Sequence, residues 1–231
     1  HIVFLNTTDT RESFDSILND VISIDIVSPT DLVQTINPQI TFKVQDSSPS
    51  YNCYLYVDDN LTQSIIANNN TEITISPSLT NGDHTYYFIC NNSLGEVKSE
   101  TRTIGVGSHF SRCGHLIDSG TYYLDSDIIN YSSRCMYIDS SSITLDCGNH
   151  LIDGQDNDGD GIYVNQKSNV IIQNCSLSDW KGYAGIRYYK SSGIIDNVTV
   201  YSCRYGVFID NNCDVEIKNS IIYDNSPYGI Y

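Results

Sequence analysis

Three stretches decide the fold: GIYVNQKSNVIIQNC (161–175), GIRYYKSSGIIDNV (185–198) and GVFIDNNCDVEIKNS (206–220). Each begins with Gly and an apolar run, passes through a polar turn and continues with a second apolar run. CMYI at Cys135 is an earlier variant and GIY at Gly229 a later copy, so the starts lie 26, 24, 21 and 23 residues apart. One repeat cannot bury its own apolar side, whereas stacking gives every Ile and Val a like neighbour about 4.8 Å away. The repeats therefore predict a solenoid of stacked coils, each with two or three short strands.

Asn174, Asn197 and Asn219 occupy one position in three successive repeats. Stacked Asn side chains at a turn can hydrogen-bond from coil to coil. We therefore predict an internal ladder, which would bury Asn174 and Asn197. An ordinary solvated turn is the alternative.

The N-terminal half has a different pattern, in which short apolar runs have a period of two residues. Ile22, Ile24 and Ile26 form one such run, and turn signals such as Asn81-Gly82 separate the runs. Strands with one apolar face at this spacing predict a two-sheet β-sandwich. We divide the chain into an N-terminal arm (1–20), a β-sandwich (21–106) and, after a Gly-rich joint, the solenoid (107–231).

Composition and charge narrow the compartment and the partners. β-branched and aromatic residues favour strands, while Asn, Asp, Ser and Gly favour turns, so the chain is expected to be all-β. The 28 Asp and Glu outnumber the 12 Lys and Arg, for a net charge of −16, which argues against nucleic acid and anionic lipid as partners. No apolar run is long enough for a membrane span, so membrane insertion is not expected. The chain starting at His1 is expected to be a mature form whose leader has been removed.

Cysteines and glycosylation sequons predict an extracellular location. An even number of widely spaced cysteines, none in a CxxC pair, favours disulfides and an oxidising compartment, with buried free thiols as the alternative. These cysteines are Cys53, Cys90, Cys113, Cys135, Cys147, Cys175, Cys203 and Cys213. Sequons in predicted turns are candidates for glycans, whereas the ladder would exclude glycans from Asn174 and Asn197. The candidate positions are Asn6, Asn60, Asn69, Asn91 and Asn130.

Two groups of motifs resemble known surface proteins. CGHLIDSGTYYL (113–124) and LDCGNH (145–150) resemble the opening coils of archaeal surface proteins with right-handed, pectin-lyase-like parallel β-helices. YNCYLYVDDN (51–60) and the stretch from Gly82 to Ile104 resemble immunoglobulin-like modules of archaeal cell-surface proteins. The resemblance implies an immunoglobulin-like β-sandwich followed by a right-handed parallel β-helix of about five coils. Antibody domains differ in having a core Trp, and the strand count here places Cys53 on a third strand, so its disulfide would join neighbouring strands.

Four disulfide pairs are predicted, and the resemblance implies one of them, Cys113–Cys135. Cys53–Cys90 would pair two sandwich strands, and Cys113–Cys135 would close the entry coil. Cys147–Cys175 would join positions about one coil apart, and Cys203–Cys213 is the remaining pair.

One acidic motif and one fold-family analogy bear on chemistry. Asp156, Asp158 and Asp160 alternate in a Gly-containing turn, like the first half of a calcium loop, and predict a Ca²⁺ site. Lys167 stands where such a loop has its bidentate Glu, and a solvated acidic turn is the alternative. β-Helix families include pectate lyases and polygalacturonases, for which Arg187 would be the nearest plausible base. The hydrolase signatures and any nucleophile–base pair are missing, so the protein is expected not to be an enzyme.

These features together predict a structural protein of the cell surface. An apolar arm at Ile2–Leu5 and a solenoid that stops in mid-coil at Gly229–Tyr231 predict head-to-tail polymerisation with copies of itself, as a filament or S-layer-like subunit. The alternative is that further coils follow Tyr231. A carbohydrate-binding adhesin is the alternative, and a polysaccharide lyase is a distant third. Aromatic residues that repeat along the solenoid would bind surface glycans or another subunit. They are Tyr188, Tyr189, Tyr205, Phe208, Tyr223, Tyr228 and Tyr231.

Overall fold

A computed structural model describes residues 22–30, 32–46, 48–92, 95–156 and 159–231. The described residues form 26 strands and no helix, which confirms the all-β prediction. No helix among them is therefore long and apolar enough to cross a membrane. The predicted arm at 1–20 lies outside these ranges.

The strand bounds are as follows. The first thirteen strands are β1 (Ser23–Ser28), β2 (Val33–Thr35), β3 (Ile40–Gln45), β4 (Ser50–Val57), β5 (Asn60–Asn68), β6 (Ile73–Ile75), β7 (Gly82–Asn91), β8 (Glu96–Lys98), β9 (Arg102–Val106), β10 (His109–Phe110), β11 (Gly114–Leu116), β12 (Gly120–Leu124) and β13 (Ile128–Tyr131). The others are β14 (Met136–Ile138), β15 (Ile143–Asp146), β16 (Leu151–Gly154), β17 (Ile162–Asn165), β18 (Val170–Gln173), β19 (Ser176–Ser178), β20 (Ala184–Tyr189), β21 (Ser192–Asp196), β22 (Thr199–Tyr201), β23 (Tyr205–Asp210), β24 (Asp214–Lys218), β25 (Ile221–Tyr223) and β26 (Tyr228–Ile230).

The chain divides into two compact units. The first contains the described residues up to position 30, together with 38–78 and 84–103. The second contains 32–37, 79–83 and 104–231. Segments 32–37 and 79–83, which the period-two pattern places in the sandwich, therefore belong to the second unit.

The first unit consists of antiparallel strands in two sheets. One sheet has the order β1-β3-β6, and the other has the order β8-β7-β4-β5. The rings of Phe42 and Phe88 stack with centroids 4.1 Å apart, so the inner faces of the two sheets pack together. Cys53 and Cys90 lie directly opposite each other on β4 and β7 and form a disulfide, with Cα atoms 4.1 Å apart. As predicted, this disulfide joins neighbouring strands of one sheet.

The second unit is a solenoid of three parallel sheets. Sheet 1 consists of β11, β14, β17, β20, β23 and β26; sheet 2 of β10, β12, β15, β18, β21 and β24; and sheet 3 of β13, β16, β19, β22 and β25. One strand from each sheet makes a coil, and about five coils stack. Strand β2 pairs in parallel with β11 and with residues 104–106 of β9, so it adds a rung before the first coil.

The coil register follows the sequence repeats. Met136, Ile162, Ile186 and Val207 are successive partners in sheet 1, which confirms the predicted repeat spacing. Equivalent apolar residues of all three sheets point inwards and are buried, because alternate residues of a strand share one face. Gly185 sits where the chain turns into sheet 1, and a Cβ there would lie 2.4 Å from Cγ1 of Val200. Close packing between strands therefore explains why a repeat begins with glycine at this position.

Two disulfides join successive coils of the solenoid, as predicted. They are Cys113–Cys135, with Cα atoms 4.6 Å apart, and Cys147–Cys175, at 4.8 Å. The predicted pair Cys203–Cys213 is wrong, because both residues are free thiols. Strand β23 runs between them and spans roughly 20 Å, which puts the two cysteines at different corners of one coil. Burial raises the pKa of the Cys203 thiol to about 12.

The repeated asparagines lie at one corner of the solenoid, each with a positive φ between 52° and 54°. Asn197 Nδ2 donates to Asn174 Oδ1 at 2.8 Å, as a ladder requires. Asn219 Nδ2 donates instead to Asp196 Oδ1. The predicted burial is wrong: Asn197 and Asn219 are exposed and Asn174 is half-buried, because a one-residue left-handed corner turns these side chains outwards. Burial therefore gives no reason to exclude a glycan from Asn197.

Candidate functional site

The outer side of sheet 1 carries a column of rings along the solenoid axis. In register, His115, Tyr137, Tyr163, Arg187 and Phe208 follow one another on successive strands. The rings of His115 and Tyr137 stack at 4.2 Å, and Tyr137 meets Tyr163 edge-on at 6.5 Å. In-register parallel strands place equivalent side chains directly above one another, so this column follows from the repeat itself. We call the outer side of sheet 1, with its flanking residues, the aromatic face.

A second column runs beside the first. Tyr183, Tyr205 and Tyr228 follow one another with centroids 5.8 and 6.0 Å apart. Phe208 joins the two columns, because its ring lies 5.1 Å from Tyr183 and 5.0 Å from Tyr205. Tyr231 stacks on Phe208 at 4.9 Å.

Two arginines cover rings of the aromatic face. The guanidinium of Arg134 lies 4.4 Å from the ring centroid of Tyr163, and that of Arg187 lies 4.4 Å from the centroid of Tyr183. Arg187 also lies 5.2 Å from the Tyr163 centroid, so both cations contact that ring. Such cation–π contacts contribute about 0.5–2 kcal/mol each, depending on how dry the site is. Both side chains are largely buried, at 28% and 18% exposure.

A buried carboxylate lies beside these arginines. Asp160 is 0% exposed, and its Oδ2 accepts a hydrogen bond from Arg134 Nε at 2.8 Å. Loss of hydration raises the pKa of Asp160, although the charges of Arg134 and Arg187 act in the opposite direction. Asp210 places a second carboxylate 3.6 Å from Arg187 Nη2. Each arginine therefore has an acidic partner within the protein.

The aromatic face combines contacts between rings with buried or half-buried ionisable groups. Rings in the two columns stack face to face at His115–Tyr137 and Tyr205–Tyr228, and meet tilted or edge-on at Tyr137–Tyr163 and Tyr183–Tyr205. Asp160 has the raised pKa that suits a general acid, but a fully buried carboxylate cannot touch a polymer on the surface. Arg187, which the sequence offered as the nearest plausible base, is held between aromatic rings and Asp210.

The predicted aromatic residues fall in different places. Tyr205, Phe208, Tyr228 and Tyr231 belong to the aromatic face, and Tyr189 lies beside Arg187. Tyr188 points inwards, is fully buried and donates its hydroxyl to the Val170 carbonyl at 3.2 Å. Tyr223 lies on sheet 3, stacked on Tyr201 at 5.3 Å.

In the acidic turn, the two described carboxylates, those of Asp156 and Asp160, contact different basic residues. Asp156 Oδ1 lies 2.6 Å from Lys181 Nζ, whereas Asp160 contacts Arg134. Asp158 lies outside the described residues. Within the part of the chain that the structure describes, no group of three His, Cys, Asp or Glu side chains could hold a metal ion. The Ca²⁺ site at Asp156, Asp158 and Asp160 stays a prediction.

The sequon asparagines differ in accessibility. Asn60, Asn69 and Asn130 are exposed, and Asn91 is half-buried in β7. Asn6 lies outside the described residues. Exposure makes the first three positions accessible to glycosylation, which stays a prediction.

Sequence reasoning missed the Arg134–Asp160 ion pair, although a signal for it exists. The two residues directly precede the repeat starts at Cys135 and Gly161, so aligning the repeats places one above the other. The same alignment would have found the column of His115, Tyr137 and Tyr163.

Comparisons with known proteins agree with the solenoid. No curated protein matches the chain. The family model described as a right-handed β-helix region matches residues 115–231, just over half of the chain. The matched residues run from the first coil to the last rung of the solenoid. The parallel sheets of the solenoid agree with the β-helix that the family description names. On both grounds, this chain is a member of the right-handed β-helix family.

Proposed function

We propose that this protein is a non-catalytic structural protein of the cell exterior, a subunit of a filament or S-layer-like assembly built from copies of itself. The observation that supports this proposal most is that disulfides cross-link consecutive coils of the solenoid. Cys113–Cys135 and Cys147–Cys175 each join consecutive coils that backbone hydrogen bonds already hold together. Such disulfides resist separation of the coils under load and suit an oxidising, extracellular compartment.

The aromatic face supports the same role. Stacked rings and paired arginines connect coil to coil on the outside, as the apolar columns do inside. A surface whose charged groups are already paired within the protein stiffens the solenoid without needing a ligand. The first unit, with its two packed sheets and its Cys53–Cys90 disulfide, would be an immunoglobulin-like spacer module.

A carbohydrate-binding adhesin is the second candidate, because tyrosine edges and arginine groups lie in a row. Tyr163 and Arg187, which are register partners on consecutive coils, would present hydrogen-bonding groups about 4.8 Å apart, and Asp210 lies 3.6 Å from Arg187. An extended glycan along the solenoid axis could contact several coils at once. Binding to immobilised glycans, lost in Arg187→Ala but kept in Arg204→Ala, would support the adhesin; Arg204 is an exposed arginine next to Tyr205.

Electron microscopy of native surface material, with antibody labelling, tests the structural proposal. We expect label at regular spacing on an ordered layer or filament. Label on scattered single particles, with purified protein that stays monomeric, would contradict the proposal. An assay of the purified protein for new reducing ends and unsaturated uronates tests whether it cleaves polysaccharides. Cleavage that is lost in Arg187→Ala would contradict a non-catalytic role.

A further inference from the structure

We infer that Tyr201 and Tyr223 become joined by a carbon–carbon bond between their rings, a dityrosine cross-link, when the extracellular protein meets a one-electron oxidant. The inference rests on the proposed structural function and names a second kind of covalent link between coils. Tyr201 ends β22 and Tyr223 ends β25, and the two residues are direct partners in the parallel register of sheet 3. In-register partners on neighbouring coils have backbones about 4.8 Å apart, so both rings leave the sheet side by side.

The two rings already lie close together and nearly parallel. Their centroids are 5.3 Å apart, and their planes make an angle of 15°. No register shift interrupts the pairing of β22 with β25. In a tyrosyl radical, the ring carbons beside the hydroxyl-bearing carbon carry much of the unpaired electron. A rotation about the side-chain bonds therefore brings one such carbon of each ring into contact.

The surroundings leave both rings accessible and free to rotate. Tyr223 is 45% exposed and Tyr201 is half-buried. Among the described residues, neither hydroxyl group has a hydrogen-bond partner, and no cation covers either ring. Tyr205 and Tyr228 are also nearly parallel, but their centroids lie 6.0 Å apart, and Tyr205 contacts Phe208 as well. The pair on sheet 3 is therefore closer and less restrained.

The position of this pair complements the disulfides. The two disulfides of the solenoid join the first coil to the second and the second coil to the third. Within the part of the chain that the structure describes, no disulfide joins the fourth coil to the fifth. Tyr201 lies on the fourth coil and Tyr223 on the fifth. A bond between them would extend covalent cross-linking to coils that the disulfides leave out.

The reaction balances with hydrogen peroxide and a peroxidase as the oxidant. Each tyrosine loses one electron, and one proton from its hydroxyl group, and becomes a radical. The two radicals form one carbon–carbon bond, and the hydrogen on each bonded carbon then moves to the ring oxygen, which restores both phenols. Two hydrogen atoms leave in total, and hydrogen peroxide takes them up with cleavage of its O–O bond to give two water molecules.

Oxidation of the purified protein with a peroxidase and limiting hydrogen peroxide tests the coupling. We expect dityrosine fluorescence and, after digestion, a peptide pair linked through residues 201 and 223, formed at a rate independent of protein concentration. Tyr223→Phe keeps the ring but has no hydroxyl group to oxidise, so the linked pair should be lost. Tyr228→Phe is the matched control, because Tyr228 is similarly exposed (49%), and should keep the pair. Links confined to other tyrosines, or links only between chains, would overturn the inference.

Peptide mapping of protein from native surface material tests whether the bond forms in place. The link between residues 201 and 223 should be present there, and its absence would overturn the inference. Electron microscopy of the same material tests the assembly separately. Ordered arrays whose protein lacks the link would leave the structural function standing and remove the cross-link. Scattered monomers that carry the link would remove the assembly and leave the cross-link standing.

Discussion

Replacing Arg134 with Met should destabilise the solenoid more than breaking an exposed ion pair would. The change leaves Asp160, which is 0% exposed, without the guanidinium 2.8 Å from its Oδ2. Removing one partner of a buried ion pair costs about 3–5 kcal/mol. Arg187 remains as a second cation near Asp160, so we expect the lower end, about 3 kcal/mol. For a domain of this size, that loss lowers Tm by roughly 10 °C.

The free energy of unfolding that Arg134→Met loses should increase with pH. The folded-state pKa of Asp160 is raised, so ionisation of this group opposes folding. Its stabilising contribution is complete below the unfolded pKa, about 3.9, and is lost as pH rises through the folded pKa. Without Arg134 the folded pKa rises further, because one of the cations that favour the charged form is gone. The stability gap between Arg134→Met and wild type should therefore be large at neutral pH and narrow on acidification.

Denaturant unfolding followed by tryptophan fluorescence measures these differences. Trp180 is the only Trp and is fully buried in the solenoid, so its emission reports on this unit. The double variant Arg134→Met, Asp160→Asn should recover much of the loss, since the unpaired charge is gone. Lys181→Met is the control, because it breaks the exposed Lys181–Asp156 pair, and exposed ion pairs contribute little to stability. If Arg134→Met costs no more than the control, or equally at every pH, the buried-charge reasoning is refuted.

Three further predictions concern the coils and the glycans. Replacing Cys147 and Cys175 with Ser frees a loop with a sequence separation of 28 and should cost about 3.6 kcal/mol in denaturant unfolding; a loss under about 1 kcal/mol would refute the chain-entropy estimate. Gly185→Ala should cost about 1–3 kcal/mol through its contact with Val200 and should be partly rescued by Val200→Ala; a fully stable Gly185→Ala would contradict the close packing. Glycopeptide mass spectrometry of native protein should find a glycan on exposed Asn130, and an unmodified, fully accessible sequon would count against the secreted route.

The solenoid could be predicted from the sequence because the same pattern of residues recurs in each coil. Each coil start, from Cys135 to Gly229, occurs at a spacing that the sheet 1 register reproduces. Stacking then places cysteines of successive coils near each other, which is why Cys147–Cys175 could be anticipated. Cys203–Cys213 rested on no geometric constraint and was wrong.

The remaining errors have a common physical origin. Strand β2 is three residues long, and such a short run looks the same in a sandwich as in a solenoid. Its partners, β9 and β11, are distant in sequence, and local pattern contains no information on distant pairing. The direction of Asn197 depends on one backbone dihedral at a corner. The pairing of Asp160 with Arg134 depends on coil register, which residue type alone does not reveal.

The position of β2 has a consequence for the order in which the chain can fold during synthesis. Residues 33–35 leave the ribosome before any strand with which they pair. Their first partner, residues 104–106, follows roughly seventy residues later, and β11 later still. The hairpin of β4 and β5 can form as soon as both strands have been synthesised, because only two residues separate them. The earliest rung of the solenoid in sequence is therefore completed late, and nascent chains halted before residue 104 would hold β2 without its partners.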